Sequence, residues 1–378
     1  GVKGISLFLV PKFLVNADGS LGARNDVTCA SIEHKLGIHA SPTCTMIYGE
    51  GGGAVGYLLG TPHRGLEYMF VMMNAARLAV ALQGVALGER AFQQARAYAA
   101  ERKQGRDAVS GAALVTIDRH PDVRRMLMLM KCNVEAGRAL VYCTAGLLDR
   151  AHAAADAEER RRQLYLAELL IPIVKGGCTE MGIEVASLGI QVHGGMGFIE
   201  ETGAAQHWRD ARIATIYEGT TGIQAADLLF RKLMRDQGAT ARVLFGAVQA
   251  AVVALSASAG RDLPAIGRRL ATALGAWTAA TEWLAANAKS QPAGVLAAAV
   301  PYLQLAYTVC AGWQMGRAAL AAAARLERGV EDAAFARAKI ASARFYADQV
   351  LTHAKAYEST VRAGAAGLDE STETLFDA

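Results

Sequence analysis

The pattern of apolar and polar positions divides the chain near Pro62. Before it, apolar residues come in short runs rich in β-branched and aromatic side chains: ISLFLV (Ile5 to Val10), DVTCASIEH (Asp26 to His34), TCTMIYG (Thr43 to Gly49) and AVGYLLG (Ala54 to Gly60). Runs of that length and composition, separated by turn formers such as NADGS (Asn16 to Ser20), predict strands. After Pro62 the apolar spacing switches to the helical period and stays there. Helices are expected over Gly65 to about Lys103, then from a cap at Asp118 or His120, with Pro121 in the first turn, to about Ala155. A third spans Glu158 to Leu188. A loop follows over Gln191 to Gly203, then a short helix over Ala204 to Ile213 and another reaching Asp236. From Gly238 the chain is alanine-rich and helical to about Arg362. Breaks are expected near Gly260 to Pro264, Gln291 to Gly294 and Gly329 to Glu331, and an acidic tail from Gly367.

This pattern describes a mostly α protein with a partial β domain. Three regions are expected: residues 1–61 as the last part of a β domain, 62–237 as a helical bundle, and 238–378 as a C-terminal helical extension. The third region holds helices of similar length, but no fixed repeat period.

Composition sharpens this picture in a few places. The chain has 378 residues, 52% of them hydrophobic, and only 8 prolines, enough for more than one domain and a large helical core. The net charge is +4 with the basic residues dispersed, so no nucleic-acid-binding tract is present. Cysteines 29, 44, 132, 143, 178 and 310 form no C-x-x-C pair and no zinc spacing, and they read as buried thiols in a reducing compartment. The chain enters strand-like sequence within a few residues of Gly1, and four strands are few for a free-standing domain. The expectation is a protein that begins earlier, in a bacterial-type cytoplasmic location. Ser290 to Gly316 carries no charged side chain but contains Pro292, Pro301, Gln291, Gln304 and Gln314. It reads as a bundle helix or subunit contact rather than a membrane span, and membrane contact is not expected.

Five stretches carry candidate chemistry. GEGGGAVG (Gly49 to Gly56) contains G-x-G-x-x-G, but the strand-like YLLGTP that follows replaces the helix a pyrophosphate needs, so the stretch reads as a loop between strands. QVHGGMGF (Gln191 to Phe198) places adjacent glycines, where backbone can approach a ligand, beside Gln191 and His193; a tight turn between helices is the alternative. No partner at helical spacing makes His193 a metal ligand. ERKQGR (Glu101 to Arg106) is either a phosphate-binding cluster or a solvated helix end. Arg77, in the apolar MMNAARLAV, needs an anionic or hydrogen-bonding partner, structural or catalytic.

The fifth is WRDARIATIYEGTTGIQ (Trp208 to Gln224). Arg209, Asp210 and Arg212 form a charged knot of the kind that makes structural salt bridges. Glu218 lies just before a helix that Thr220 or Thr221 can cap. The helix N-terminus favours its ionised form, whereas an apolar pocket opposes it. A base that abstracts a carbon-bound proton needs both: a carboxylate that is ionised yet poorly solvated.

Together these residues resemble the acyl-CoA dehydrogenase family. EHKLGIHASPTCTMIYG, MNAARLAVALQGVALGERAFQQARAYAAERKQGR and QVHGGMGFIEETGAAQHWRDARIATIYEGTTGIQ occur in the family's order and cover residues 1 to about 237. The QGR ending, HPDVRRML (His120 to Leu127) and the added C-terminal region resemble a larger-subunit branch. The implied fold is a β-strand segment followed by a four-helix bundle and an extra C-terminal helical domain. The resemblance implies FAD as cofactor and Glu218 as the base that removes the α-proton of an acyl-CoA thioester. The β-hydride would pass to flavin N5, giving the trans-2-enoyl-CoA, with electrons leaving to an electron-transfer flavoprotein. Tyr217 and Gly219 would flank the thioester, Arg77 would lie near the base and the pantetheine arm, and Thr220 would touch the flavin. Arg102, Gln104, Gln191, His193, Gly194 and Gly195 are the implied FAD contacts. Those of Arg102 and the Gln191 to Gly195 loop reach the FAD of a neighbouring subunit, which implies a homodimer or dimer of dimers. Gly105 and Arg106 stand where many members have phenylalanine and glycine, and Gly222 stands where shorter members have glutamine. An acyl-CoA oxidase on the same fold and a low-turnover flavoprotein scaffold are the competing readings.

Overall fold

Among the described residues, six strands form where the apolar runs suggested four. β1 (Leu7–Leu9), β2 (Phe13–Val15), β3 (Leu21–Arg24), β4 (Val27–Ile32), β5 (Cys44–Tyr48) and β6 (Tyr57–Leu59) pair antiparallel as β1 with β6, β2 with β3, and β4 with β5. The computed structural model describes residues 1–329 and 331–368, so the acidic tail expected from Gly367 lies, beyond Leu368, outside the described residues. The described chain forms two compact units, Gly1–Ala76 and the chain from Arg77 onward.

In the first unit, the two additional strands flank the expected NADGS turn. Gly19, with φ +83°, donates its N–H to the Asn16 carbonyl at 2.9 Å. Strands of three and four residues are too short to show an alternation. The glycine cluster is indeed a loop between strands, and a carboxylate of this same chain fills its concavity. Asp26 Oδ2 accepts the N–H groups of Gly51 at 2.7 Å and Gly53 at 3.1 Å. Of β4, only Val27 is buried. Cys29 is therefore exposed and Cys44 half-buried, which corrects the expectation of six buried thiols; Cys143 is also half-buried, while Cys132, Cys178 and Cys310 are buried.

Helix α1 runs Gly65–Glu101, followed by α2 (Pro121–Ala153) and α3 (Ala157–His193). Pro121 sits at the first helical position of α2, where its missing N–H costs nothing. Asp156 caps α3 by accepting the Glu159 N–H at 2.7 Å. A three-residue link joins α2 to α3, and the two pack along their length as a helical hairpin. The apolar period of α3 is obscured because nearly every face is buried. Its glycines mark close helix crossings. A Cβ at Gly84 of α1 would lie 2.4 Å from the Cys178 carbonyl oxygen, and one at Gly177 would lie 2.1 Å from the Tyr307 ring. Substitution there forces the helices apart.

α3 also extends further than expected. Gln191, Val192 and His193 are helical, and the turn begins at Gly194, whose φ is +60°. Adjacent glycines suggested an earlier stop, but a helix continues until a residue must leave helical φ, and here Gly194 is the first.

Beyond it come α4 (Ala204–Arg212), α5 (Thr221–Ala226), a π-helical turn over Asp227–Leu233, α6 (Ala239–Ala257), α7 (Asp262–Asn287), α8 (Pro292–Ala297), α9 (Ala299–Glu327), α10 (Ala333–Gln349) and α11 (Ala354–Ala363). Pro264 lies in the first turn of α7 rather than in the break, and a further break, after Gln349, separates α10 from α11. The uncharged run from Ser290 becomes α8 and most of α9, which is buried from Tyr302 through Gly316 apart from Gln304. Packing against α2, α3, α7 and α10 accounts for the lack of charge. By length and composition alone, α1 and α6 are long and apolar enough to cross a membrane. One continuous core links α1 from Ala81 with α2, α3, α5, α7, α9, α10 and α11, and Trp277, Tyr302 and Tyr346 are buried within it. Arg269 and Arg344 meet Asp348 at 3.0 and 2.6 Å, joining α7 to α10.

Candidate active site

Between α4 and α5 the chain makes a turn with two successive residues at positive φ. Glu218 has φ +55° and Gly219 has φ +89°. A left-handed conformation costs a glutamate roughly 1–2 kcal/mol, so the surroundings must impose it. Gly219 is the only residue type that fits its position: besides the positive φ, a Cβ would lie 2.8 Å from Gln224 Nε2. Thr220 then caps α5, its hydroxyl accepting the Ile223 N–H at 3.2 Å.

Two buried side chains hold this turn from inside. Gln224 Nε2 donates to the carbonyls of Glu218 at 3.2 Å and Gly219 at 3.1 Å. Lys175, from the middle of α3 and 0% exposed, donates to the carbonyls of Gly219 at 2.6 Å and Ala214 at 2.9 Å. The Gly219 carbonyl thus uses both of its lone pairs on side-chain donors. Thr221 donates its hydroxyl to Glu180 Oε1 at 2.6 Å, fixing the start of α5 against α3.

The electrostatics converge on the same place. Burial, together with the neighbouring Arg77, lowers the Lys175 ammonium to a pKa of about 8, against the opposing pull of Glu180 and Glu218. Arg77 is itself buried and pairs with Asp227 at 3.0 Å. Asp227 opens the π-helical turn, a local widening of the helix often found at functional sites. Arg77 Nε and Gln224 Oε1 are buried without a partner among the described residues. Tyr217 donates its hydroxyl to Gln83 Oε1. Burial raises the Tyr217 pKa and the Glu218 carboxylate adds to this, while the Gln83 bond opposes it. The Glu218 side chain is half-buried. A carboxylate is thus presented at a partly desolvated position on a turn held from inside by the buried Lys175.

Of the residues expected to form the site, the fold brings Glu218, Gly219, Thr220, Tyr217 and Arg77 together here. The others gather elsewhere. His193 closes α3 and stacks on Tyr98 of α1 with ring centroids 4.5 Å apart. Its Nδ1 donates to the Gly189 carbonyl at 2.7 Å. Gly194 and Gly195 are exposed, and a Cβ at either would meet nothing within 4 Å. Gln191 is an exposed helical residue of α3. Arg102 and Gln104, exposed just past α1, are held by their backbone: Arg102 O accepts the Ile117 N–H at 2.8 Å, and Gln104 O meets His120 Nε2 at 2.7 Å. Lys175 and His193 are eighteen residues apart on α3, about 27 Å at the helical rise. A single copy of the chain therefore offers two separate surfaces: a rigid turn with a carboxylate, and an open, cationic one. The charged knot resolves outward, with Arg209 paired to Glu200 at 2.7 Å and Arg212 donating to Thr215 Oγ1 at 2.6 Å.

Sequence reading did not single out Lys175, Gln224, Asp227 or Gln83. Lys175 carried a usable signal, since a lysine in LLIPIVKGG poses the same question as an arginine in MMNAARLAV. Gln224 and Asp227 carried none, because polar residues early in a helix are ordinary.

Known proteins resemble this chain along most of its length. Two family models match the chain: "Acyl-CoA dehydrogenase, C-terminal domain" over residues 63–233, and "Acetyl-CoA dehydrogenase C-terminal like" over residues 244–370. The 3-methylmercaptopropionyl-CoA dehydrogenase of Ruegeria pomeroyi is 50% identical over 96% of this chain, and the chain spans 60% of that relative's length. Among solved structures, Caenorhabditis elegans ACDH-11 in complex with C11-CoA matches 100% of this chain and 58% of its own, with a TM-score of 0.75 at 22% identity. The FAD complex of an acyl-CoA dehydrogenase from Bacillus anthracis matches 93% of this chain and 58% of its own, with a TM-score of 0.69 at 20% identity. With two models of that family matched one after the other over residues 63–233 and 244–370, the chain belongs to the acyl-CoA dehydrogenase family.

Proposed function

We propose that this chain carries the catalytic turn of an FAD-dependent acyl-CoA dehydrogenase that converts an acyl-CoA thioester to its trans-2-enoyl-CoA, with Glu218 as the base. The observation that carries this reading is the clamped left-handed turn, which presents a half-buried carboxylate and fixes its backbone through Lys175 and Gln224. Removal of a carbon-bound proton needs such a base, held in position and poorly solvated. Glu218 takes the α-proton. Tyr217 and Gly219 flank the thioester, and Arg77 offers positive charge beside it. FAD, when bound, supplies the acceptor for the β-hydride.

The residues present fit that cofactor. Arg102 and Gln104 offer an exposed cation and an amide, and the backbone at Gly194 and Gly195 is open to close approach by a diphosphate. Gln191 and His193 flank that opening, and Thr220 stands exposed at the Glu218 turn. The separation of about 27 Å along α3 suits contacts to two different cofactor molecules. The proposed assembly is accordingly a homodimer or dimer of dimers, in which Arg102 and Gln191 to Gly195 serve a neighbouring subunit. The proposed electron acceptor is an electron-transfer flavoprotein. The caffeyl-CoA reductase–Etf complex subunit CarC of Acetobacterium woodii, 28% identical over 59% of this chain, lends this support.

The test is anaerobic reduction of the bound flavin by a panel of acyl-CoA thioesters, followed by absorbance, in the wild type and Glu218→Gln. The expected result is bleaching by the wild type and a loss of about 10²–10⁴-fold in rate for the variant at equal FAD content. Bound FAD that no thioester bleaches would overturn the proposal.

A further inference from the structure

Lys175 stands out among the buried ionisable groups. It is fully buried on α3, and both of its hydrogen bonds go to backbone carbonyls, those of Ala214 and Gly219, rather than to carboxylates. An ammonium in that setting has lost its hydration, and a methionine or leucine would fill the same space without that cost. Its two acceptors bracket the catalytic turn: Ala214 precedes Tyr217 and Glu218, and Gly219 follows them. The charged groups around it are Arg77 of α1, Glu180 of α3 and Glu218 of the turn itself, and Arg77 is in turn paired with Asp227 of the π-helical turn.

We propose that Lys175 is the positioning residue of the Glu218 base: it ties the two ends of the turn together through their carbonyls, so that Glu218 is held in its left-handed conformation. This inference rests on the proposed function above and names a residue that acts through Glu218 without touching the substrate. The carbonyl bonds fix where the carboxylate stands. Gln224 shares this role, donating to the same Gly219 carbonyl.

The experiment compares the FAD-loaded wild type with Lys175→Met, Gln224→Met and Glu218→Gln, measuring anaerobic flavin reduction by an acyl-CoA thioester, with thioester affinity, FAD content and melting temperature in parallel. Lys175→Met is expected to reduce at least ~10-fold more slowly, because a displaced base loses its near-attack geometry. Its thioester affinity stays within about threefold, since the lost interaction matters only in the transition state. Gln224→Met is expected to slow reduction in the same way, at unchanged thioester affinity. The proposal is overturned if Lys175→Met, still holding FAD, keeps the wild-type rate. If Glu218→Gln also reduces at the wild-type rate, the proposed function itself fails; an inert Glu218→Gln beside an unchanged Lys175→Met sinks the Lys175 assignment alone. If Lys175→Met cannot hold FAD, Lys175→Gln, which keeps a donor but not the charge, is read in its place. If that variant also loses FAD, Gln224→Met decides: a slower rate at unchanged affinity supports the locked turn, and a wild-type rate overturns it.

Discussion

The Glu218 turn and the Gly194 turn both bend the backbone through positive φ, yet they are built in opposite ways. At Glu218 the unusual conformation is imposed from within, by Lys175 and Gln224 on the Gly219 carbonyl and by the Thr221 bond to Glu180. At Gly194 the backbone turns at the end of a helix, with open space on the side where a Cβ would stand. A base that removes a proton from carbon depends on position to within a fraction of an ångström, which calls for buried donors. A surface that receives a large flat or charged ligand depends on access, which calls for bare backbone and an exposed cation. The two regions differ in what substitution should damage: stability and rate together at the first, ligand affinity alone at the second.

The comparison breaks most visibly at the buried ion pair beside the Glu218 turn. Asp227→Ala leaves the Arg77 guanidinium buried without its carboxylate, and the expected loss of stability is about 3–5 kcal/mol. Denaturant unfolding measures it, and a loss below about 1 kcal/mol, the value of an exposed pair, would show that water reaches Arg77. Gly219→Ala comes next. Its strained φ and its approach to Gln224 Nε2 predict a loss of roughly 1–3 kcal/mol along with slower flavin reduction.

A pH series sharpens the same point without mutation. Folded Lys175 releases its proton at about 8, whereas its ordinary value is 10.5, so between those limits the unfolded chain binds more protons than the folded one. Lys175 therefore contributes a stability that rises with pH across this window, and the slope should flatten in Lys175→Met. Urea midpoints taken through the window check both the sign and the assignment.

The smallest stability effects belong to the open turn. Gly195→Ala and Arg102→Ala are expected to change stability by no more than about 0.5 kcal/mol, because neither side chain is buried. Both should nevertheless weaken FAD binding, as read by flavin retention on dilution. If Gly195→Ala destabilised the chain as much as Gly219→Ala, the contrast between the two turns would fail.

Much of this arrangement was legible in the residues, and the exceptions are instructive. Arg77 announced itself as a charge in an apolar run and proved to be buried and paired. Lys175 sat in an equally apolar run, yet the glycines after it drew attention to backbone instead; those glycines serve helix packing against Leu303 and Tyr307. The end of α3 was placed too early because Gly194 and Gly195 were treated as a pair, although only Gly194 has a positive φ. β2 and β3 escaped notice because FLV and LGAR lie in no longer apolar run, unlike the equally short β1 and β6 within ISLFLV and AVGYLLG, while the turn between them was plain from its composition.

The sequence by itself determined the helices and their order. A helix must bury one face, and that requirement writes a period into the chain that needs no knowledge of the partner. It also singled out Glu218, because a lone carboxylate before a capped helix is a local feature. What only the tertiary structure decided is which groups meet. Arg77 finds Asp227 across 150 positions, and Lys175 finds the Gly219 carbonyl across 44. Hydrogen bonds and ion pairs act over a few ångströms, whereas the distances that permit them are set by how helices pack, and no local stretch of sequence contains that packing.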